Sequence, residues 1–110
     1  MNTVMDAPIF QALADPVRRS LLVHLVEQSP KTATQLAQTY PITRQGILKH
    51  LNVLEDAGLV AVHQKGREKR YTPQLEKLTE LERWIRDLSA KWDARLVRLK
   101  AFVESLPDEE

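Results

Sequence analysis

From Leu75 onward, apolar residues return every three or four positions: Leu78, Leu81, Ile85, Leu88, Trp92, Leu96, Leu99, Val103 and Leu106. A stripe with that period is one face of a single helix, here running from about Leu75 to Ser105 and ending at Leu106-Pro107. At about 1.5 Å per residue such a helix is ~45 Å long. The chain has 110 residues, 43% of them hydrophobic, which is enough for one core and too little for two ordinary domains. So small a domain cannot cover the whole stripe, and each large side chain left in water forgoes ~1.5–3 kcal/mol of burial. The spacing therefore predicts self-association through this helix, with Leu81, Ile85, Leu88, Trp92, Leu96 and Leu99 as the dimer interface. A heptad holds as far as Trp92 and is broken by a four-residue step to Leu96, which favours an antiparallel or crossed pair over a long zipper. Trp84, Trp92 and Phe102 have a second reading, as core residues packed on their own domain.

Upstream, the chain is punctuated at short intervals. Ile9, Phe10 and Leu13 form a first helical group that stops at Asp15-Pro16, where aspartate suits an N-cap and proline the first helical position. The helix begun there carries Val17, Leu21, Leu22, Leu25 and Val26 on one face, with Arg18 and Arg19 elsewhere, and ends near Gln28-Ser29-Pro30. Thr32 or Thr34 can cap a third, short helix to about Gln38, with Leu36 and Ala37 inward. Tyr40-Pro41-Ile42 reads as a tight connection, because proline disfavours helical geometry in the residue before it. Thr43 then caps a fourth helix, RQGILKHLNVLEDA, with Ile47, Leu51 and Leu54 as its apolar stripe and Gly58 as its stop. Two helices joined by about three residues make a helix-turn-helix. LVAVHQ and KRYT follow as strand-like runs on either side of Lys65-Gly66-Arg67-Glu68, a β-hairpin. The fold class is mainly α with a small β-hairpin wing: a winged helix-turn-helix with a long C-terminal dimerisation helix.

A formal net charge of +1 says little until it is located. Residues 32–71 hold six basic side chains against three acidic ones, while the flanking segments are neutral or acidic, so the middle third is the surface for an anion. With its apolar stripe set aside, the fourth helix presents Arg44, Gln45, Leu48, Lys49 and Asn52. Arginine and glutamine make paired hydrogen bonds to base edges, whereas Thr43, Lys49 and the helix N-terminus suit phosphate. At the hairpin tip Lys65, Arg67, Lys69 and Arg70 can reach a neighbouring minor groove or its phosphates. On an arbitrary helix such residues would only solvate an outer face. The order of short capped helix, proline turn, polar helix and basic hairpin is what points to double-stranded DNA as the partner. Twofold pairing would set two such helices about one DNA turn apart, ~34–36 Å, which predicts an inverted-repeat operator.

The absence of cysteine removes disulfides, thiolate metal sites and cysteine nucleophiles. His24, His50 and His63 lie on three separate elements without ligand spacing, so no metal and no cofactor is expected. Neither a glycine-rich phosphate loop nor a serine–histidine motif is present, and no enzyme is expected. No basic leader precedes the first apolar residues and no apolar run approaches ~20 residues, so the reading is a soluble, cytoplasmic protein without a membrane partner. The tail Asp108-Glu109-Glu110 reads as frayed.

The run TRQGILKHLNVLEDAGLV followed by HQKGREKRYTP resembles the ArsR/SmtB-type winged-helix repressors. The likeness rests on the His50-Leu51 pair, the Leu-x-x-Ala-Gly-Leu-Val exit from Leu54 to Val60, and Gly66-Arg67 in the wing. LADPVRRSLLVHL also resembles the family's leading helix, and the likeness covers about Ile9 to Thr72. It implies that positions 43 to 52 are the recognition helix, with Arg44, Gln45, Leu48 and Lys49 meeting DNA, and that binding represses transcription. His50 has two readings, a phosphate contact or a structural side chain over the wing junction. Gly46, which costs up to ~1 kcal/mol relative to alanine inside a helix, permits a close approach of either the third helix or DNA. Many members sense metals through cysteines ahead of the recognition helix, or through aspartate and histidine on the last helix. Here the third helix reads TATQLAQ and the last has no histidine, which implies a cysteine-free, non-metal-sensing member whose inducer is unspecified. The domain reading is one unit over 1–110, with a DNA-binding core over 8–73 and a dimerisation helix over 75–106. A protein-interaction module that kept the fold without DNA is the alternative, and Arg44, Gln45 and the basic wing count against it.

Overall fold

The computed structural model describes residues 7–107; the leader reading at residues 1–6 and the tail reading at 108–110 fall outside them. The elements are α1 (Ala7–Ala14), α2 (Pro16–Glu27), β1 (Lys31–Thr32), α3 (Ala33–Thr39), α4 (Arg44–Asp56), β2 (Val60–Lys65), β3 (Glu68–Pro73) and α5 (Leu75–Ser105).

The corner between α1 and α2 is closed from both sides. Asp15, in extended conformation with Pro16 behind it, accepts hydrogen bonds from the N–H groups of Val17 (2.8 Å) and Arg18 (3.2 Å). The last carbonyls of α1, which have no partner within their own helix, are taken by arginines of α2. Arg18 donates through Nε to the Ala12 carbonyl and through Nη2 to that of Gln11, both at 2.8 Å, and Arg19 donates to that of Leu13 at 2.7 Å. Leu21, Leu22 and Leu25 are buried as the periodicity requires, but Val26, expected on the same face, is 52% exposed.

Thr32, rather than Thr34, caps α3 and forms a reciprocal capping box with Gln35. The helix runs one residue past Gln38 and buries Ala33 and Leu36, while Ala37 is half-buried. At the far end of α4, Gly58 takes φ +77°. Its N–H reaches the Glu55 carbonyl and the Leu59 N–H reaches that of Leu54, each at 2.9 Å. This is the paired closure of a Schellman motif, with Leu54 and Leu59 both buried behind it.

β2 and β3 pair antiparallel from Val60↔Pro73 to Lys65↔Glu68, so only Gly66 and Arg67 form the loop. Gly66 has φ +63° at the first central position, as in a type II′ turn. A third strand, β1, pairs antiparallel with β3 through Lys31↔Tyr71 and Thr32↔Arg70, giving the order β1-β3-β2. The sequence reading did not foresee β1: two residues beside a proline carry no alternation. The core gathers Leu21, Leu25, Leu36, Ile47, Leu51, Leu54, Leu59 and Tyr71 between the helices and the sheet.

α5 leaves this body. Leu78 packs on the core, and Trp84 meets Phe10 of α1 in a T-shaped pair with ring centroids 5.6 Å apart. Leu81, placed with the dimer interface from sequence, is half-buried within its own chain, whereas every residue from Ile85 to Pro107 is exposed. The core reading of the aromatic residues therefore holds for Trp84 and not for Trp92 or Phe102, 58% and 61% exposed. The described residues extend 77 × 31 × 23 Å. No described helix is long and apolar enough to cross a membrane.

Candidate nucleic-acid interface

α4 is placed by its stripe. Ile47, Leu51 and Leu54 are fully buried, which turns Thr43, Arg44, Gln45 and Lys49 outward and leaves Leu48 half-buried at the edge. Thr43 caps the helix by accepting from the Gly46 N–H at 3.1 Å. No acidic side chain occupies the first turn, so the partial positive charge of the helix N-terminus is left uncompensated. Gly46 does permit a close approach, and within the chain the neighbour is not the third helix. A Cβ at this position would lie 2.5 Å from Ile42 Cγ2, so it is the Tyr40–Thr43 connection that folds against the helix. That connection is tied to α2 by a hydrogen bond of 2.9 Å between the Tyr40 and Ser20 hydroxyls.

Between the start of α3, the start of α4 and the wing lies an open cleft of about 520 Å³. Arg44, Leu48, Arg67, Glu68 and Lys69 line it together with Thr34 and Tyr71, so two elements distant in sequence bring three cations and one carboxylate to one concavity. Gln45 and Lys49 on α4 and the cap Thr43 are exposed outside the lining, and Lys65 is exposed at the end of β2. Arg70, also placed at the wing tip from sequence, pairs with Glu68 at 3.2 Å. No acidic partner for Lys65, Arg67 or Lys69 is found among the described residues. Tyr71, buried at the centre of the sheet, has its phenol pKa pushed up by burial and so stays a neutral hydroxyl beside the cations.

His50 does not join this group. It lies on the flank of α4 toward the α1–α2 corner, half-buried, with Nδ1 3.5 Å from Arg18 Nη1. Of its two readings, the position over the wing junction is thereby replaced by one against Arg18. Thr34, which the sequence offers only as a cap, is a neighbour of Arg44. Its Oγ1 accepts a hydrogen bond from Arg44 Nε at 3.2 Å. The residues are ten apart across a proline turn, and no local pattern reports such a pair.

A family model described as a helix-turn-helix domain matches residues 13–63, which spans α2, α3, α4 and the start of the wing. The chain is 31% identical to the transcriptional repressor SdpR of Bacillus subtilis, over 77% of this chain and 93% of that one. It is 47% identical to YuzN, an HTH-type transcriptional regulator of the same organism, over 61% of this chain and 78% of the other. Among solved structures, an ArsR-like transcriptional regulator from Rhodococcus sp. RHA1 is similar with a TM-score of 0.82 and 38% identity, covering 92% of each chain.

Proposed function

Because the chain belongs to the ArsR family of helix-turn-helix transcriptional regulators, we propose that it acts in the cytoplasm as a homodimeric repressor of an inverted-repeat operator. Residues 8–73 read the DNA and residues 75–106 pair the two chains. Arg44 and Gln45 address base edges in the major groove, Leu48 makes the apolar contact beside them, and Thr43 and Lys49 meet phosphate. Lys65, Arg67 and Lys69 carry the wing onto the adjacent backbone or minor groove. His50 is assigned to the α1–α2 corner, not to DNA. The observation that carries this reading is the convergence of Arg44, Arg67 and Lys69 on one open cleft flanking an N-terminus free of acidic side chains. Repression is supported by the likeness to SdpR, itself named a repressor. Pairing is supported by the exposed stripe of α5, with Ile85, Leu88, Trp92, Leu96 and Leu99 completed by Leu81.

Selection of bound fragments from a random duplex pool by the purified protein tests it. The expected product is an inverted repeat whose half-sites are centred about 10–10.5 base pairs apart. Recovery of no common sequence would overturn the proposal.

A further inference from the structure

We propose that Thr34, on α3, sets the base preference of α4 by holding Arg44 in a single presentation; the inference rests on the base-reading role given to Arg44 above. A guanidinium has five N–H donors, one on Nε and two on each Nη. Thr34 Oγ1 takes the Nε donor at 3.2 Å. Among the described residues no protein acceptor takes the Nη groups, and the carboxylate that lines the same cleft, Glu68, is paired with Arg70. The hydrogen bond therefore leaves the two Nη groups as the free end of the side chain. That end fits the O6 and N7 acceptors of a guanine approached head-on, while an approach using Nε and one Nη is blocked.

Two further features suit Thr34 to this task. Its hydroxyl is not needed at the end of its own helix, because Thr32 and Gln35 already form the capping box of α3. Its β-branched side chain has few rotamers, so it is a stiffer prop than serine or asparagine would be. An arginine fixed before DNA arrives loses less freedom on binding, and one fixed in a single orientation discriminates between bases more sharply. Thr34 is thus a positioning residue, acting on DNA through Arg44.

The test is a double-mutant cycle on duplexes that differ at single base pairs of the half-site, with the salt dependence of affinity measured in parallel. Arg44→Ala is expected to lower discrimination at one position by about tenfold, the scale of a paired arginine–guanine contact. Thr34→Val, close to isosteric, is expected to lower it at the same position by about threefold, the scale of one hydrogen bond. It should do so with an unchanged salt slope and melting temperature. Thr34→Ser should keep most of the preference, and Thr34→Val should add nothing in the Arg44→Ala background. If Arg44→Ala relaxes the preference and Thr34→Val does not, this inference fails and the reading of Arg44 stands. A loss from Thr34→Val that is uniform over sequences, shallower in salt slope and persistent without Arg44 would make Thr34 a direct phosphate contact and overturn the inference. If Arg44→Ala itself leaves base preference intact, the reading of Arg44 fails and the inference with it.

Discussion

A methyl group at position 46 has no room. Its carbon would lie 2.5 Å from Ile42 Cγ2, and a β-branched side chain has little rotamer freedom to retreat. Gly46→Ala in an exposed helix would gain up to ~1 kcal/mol from propensity. Here overpacking of ~1–3 kcal/mol opposes that gain, so the expected outcome is a lower melting temperature, partly restored by Ile42→Ala in the same chain. A rise in the single variant would contradict this account. Asp15 responds to pH. Its carboxyl is held below the usual aspartate range first by the N–H of Arg18, then by that of Val17 and the nearby His50 and Arg18 charges, against an opposing desolvation. With the folded pKa below an unfolded value of about 3.9, its contribution is present above about pH 4 and lost as pH falls through the folded value. Denaturant midpoints measured from neutral pH downward should therefore decline less steeply in Asp15→Asn, which can still cap, and an identical decline would contradict the assignment. At this scale the sequence reveals which side chains face water, because exposure follows the apolar stripe. It does not reveal that Arg44 meets Thr34 or that His50 meets Arg18, because those pairs depend on how helices cross.

Helix ends were the most legible elements, since their chemistry is local. Asp15-Pro16, Thr43 and Gly58 each mark a boundary through their own backbone preference, and α2, α4 and the exit from α4 fall where those residues put them. Strand β1 was not legible, because Lys31 and Thr32 become a strand only when β3 is beside them. Val26 was misplaced for a related reason: its period fits the buried face, yet burial also needs a neighbour. The wing joins the two kinds of information. Its glycine loop was readable, whereas the pairing that removes Arg70 from the free cations and leaves Arg67 was not. An unpaired arginine at a loop tip meets phosphate without regard to sequence. Arg67→Ala should therefore weaken binding to all duplexes similarly and reduce the steepness of log affinity against log salt by about one per protomer. A loss confined to one base position would assign Arg67 to base reading instead.

A compact chain of this length has a radius of gyration of roughly 13 Å, and this one has 20.5 Å. The excess comes from α5, whose unbroken exposed stretch begins at Ile85 and carries Leu88 and Trp92 at 53% and 58% exposure. The sequence predicts that such a stripe outruns its own domain; how far the body reaches along α5 depends on Phe10 of α1 meeting Trp84, a contact between residues far apart in the chain. Sedimentation should give a dimer at micromolar concentration, and Leu88→Glu with Trp92→Glu should give monomers that bind DNA far more weakly; an unaltered wild-type monomer would contradict the pairing. In the proposed function, the leading edge of α4 enters the major groove twice per dimer. Methylation of guanine N7, which lies in that groove, probes this by interference on a selected operator. Methylation should block binding in two clusters about one helical turn apart, and binding indifferent to N7 methylation throughout the site would contradict the account.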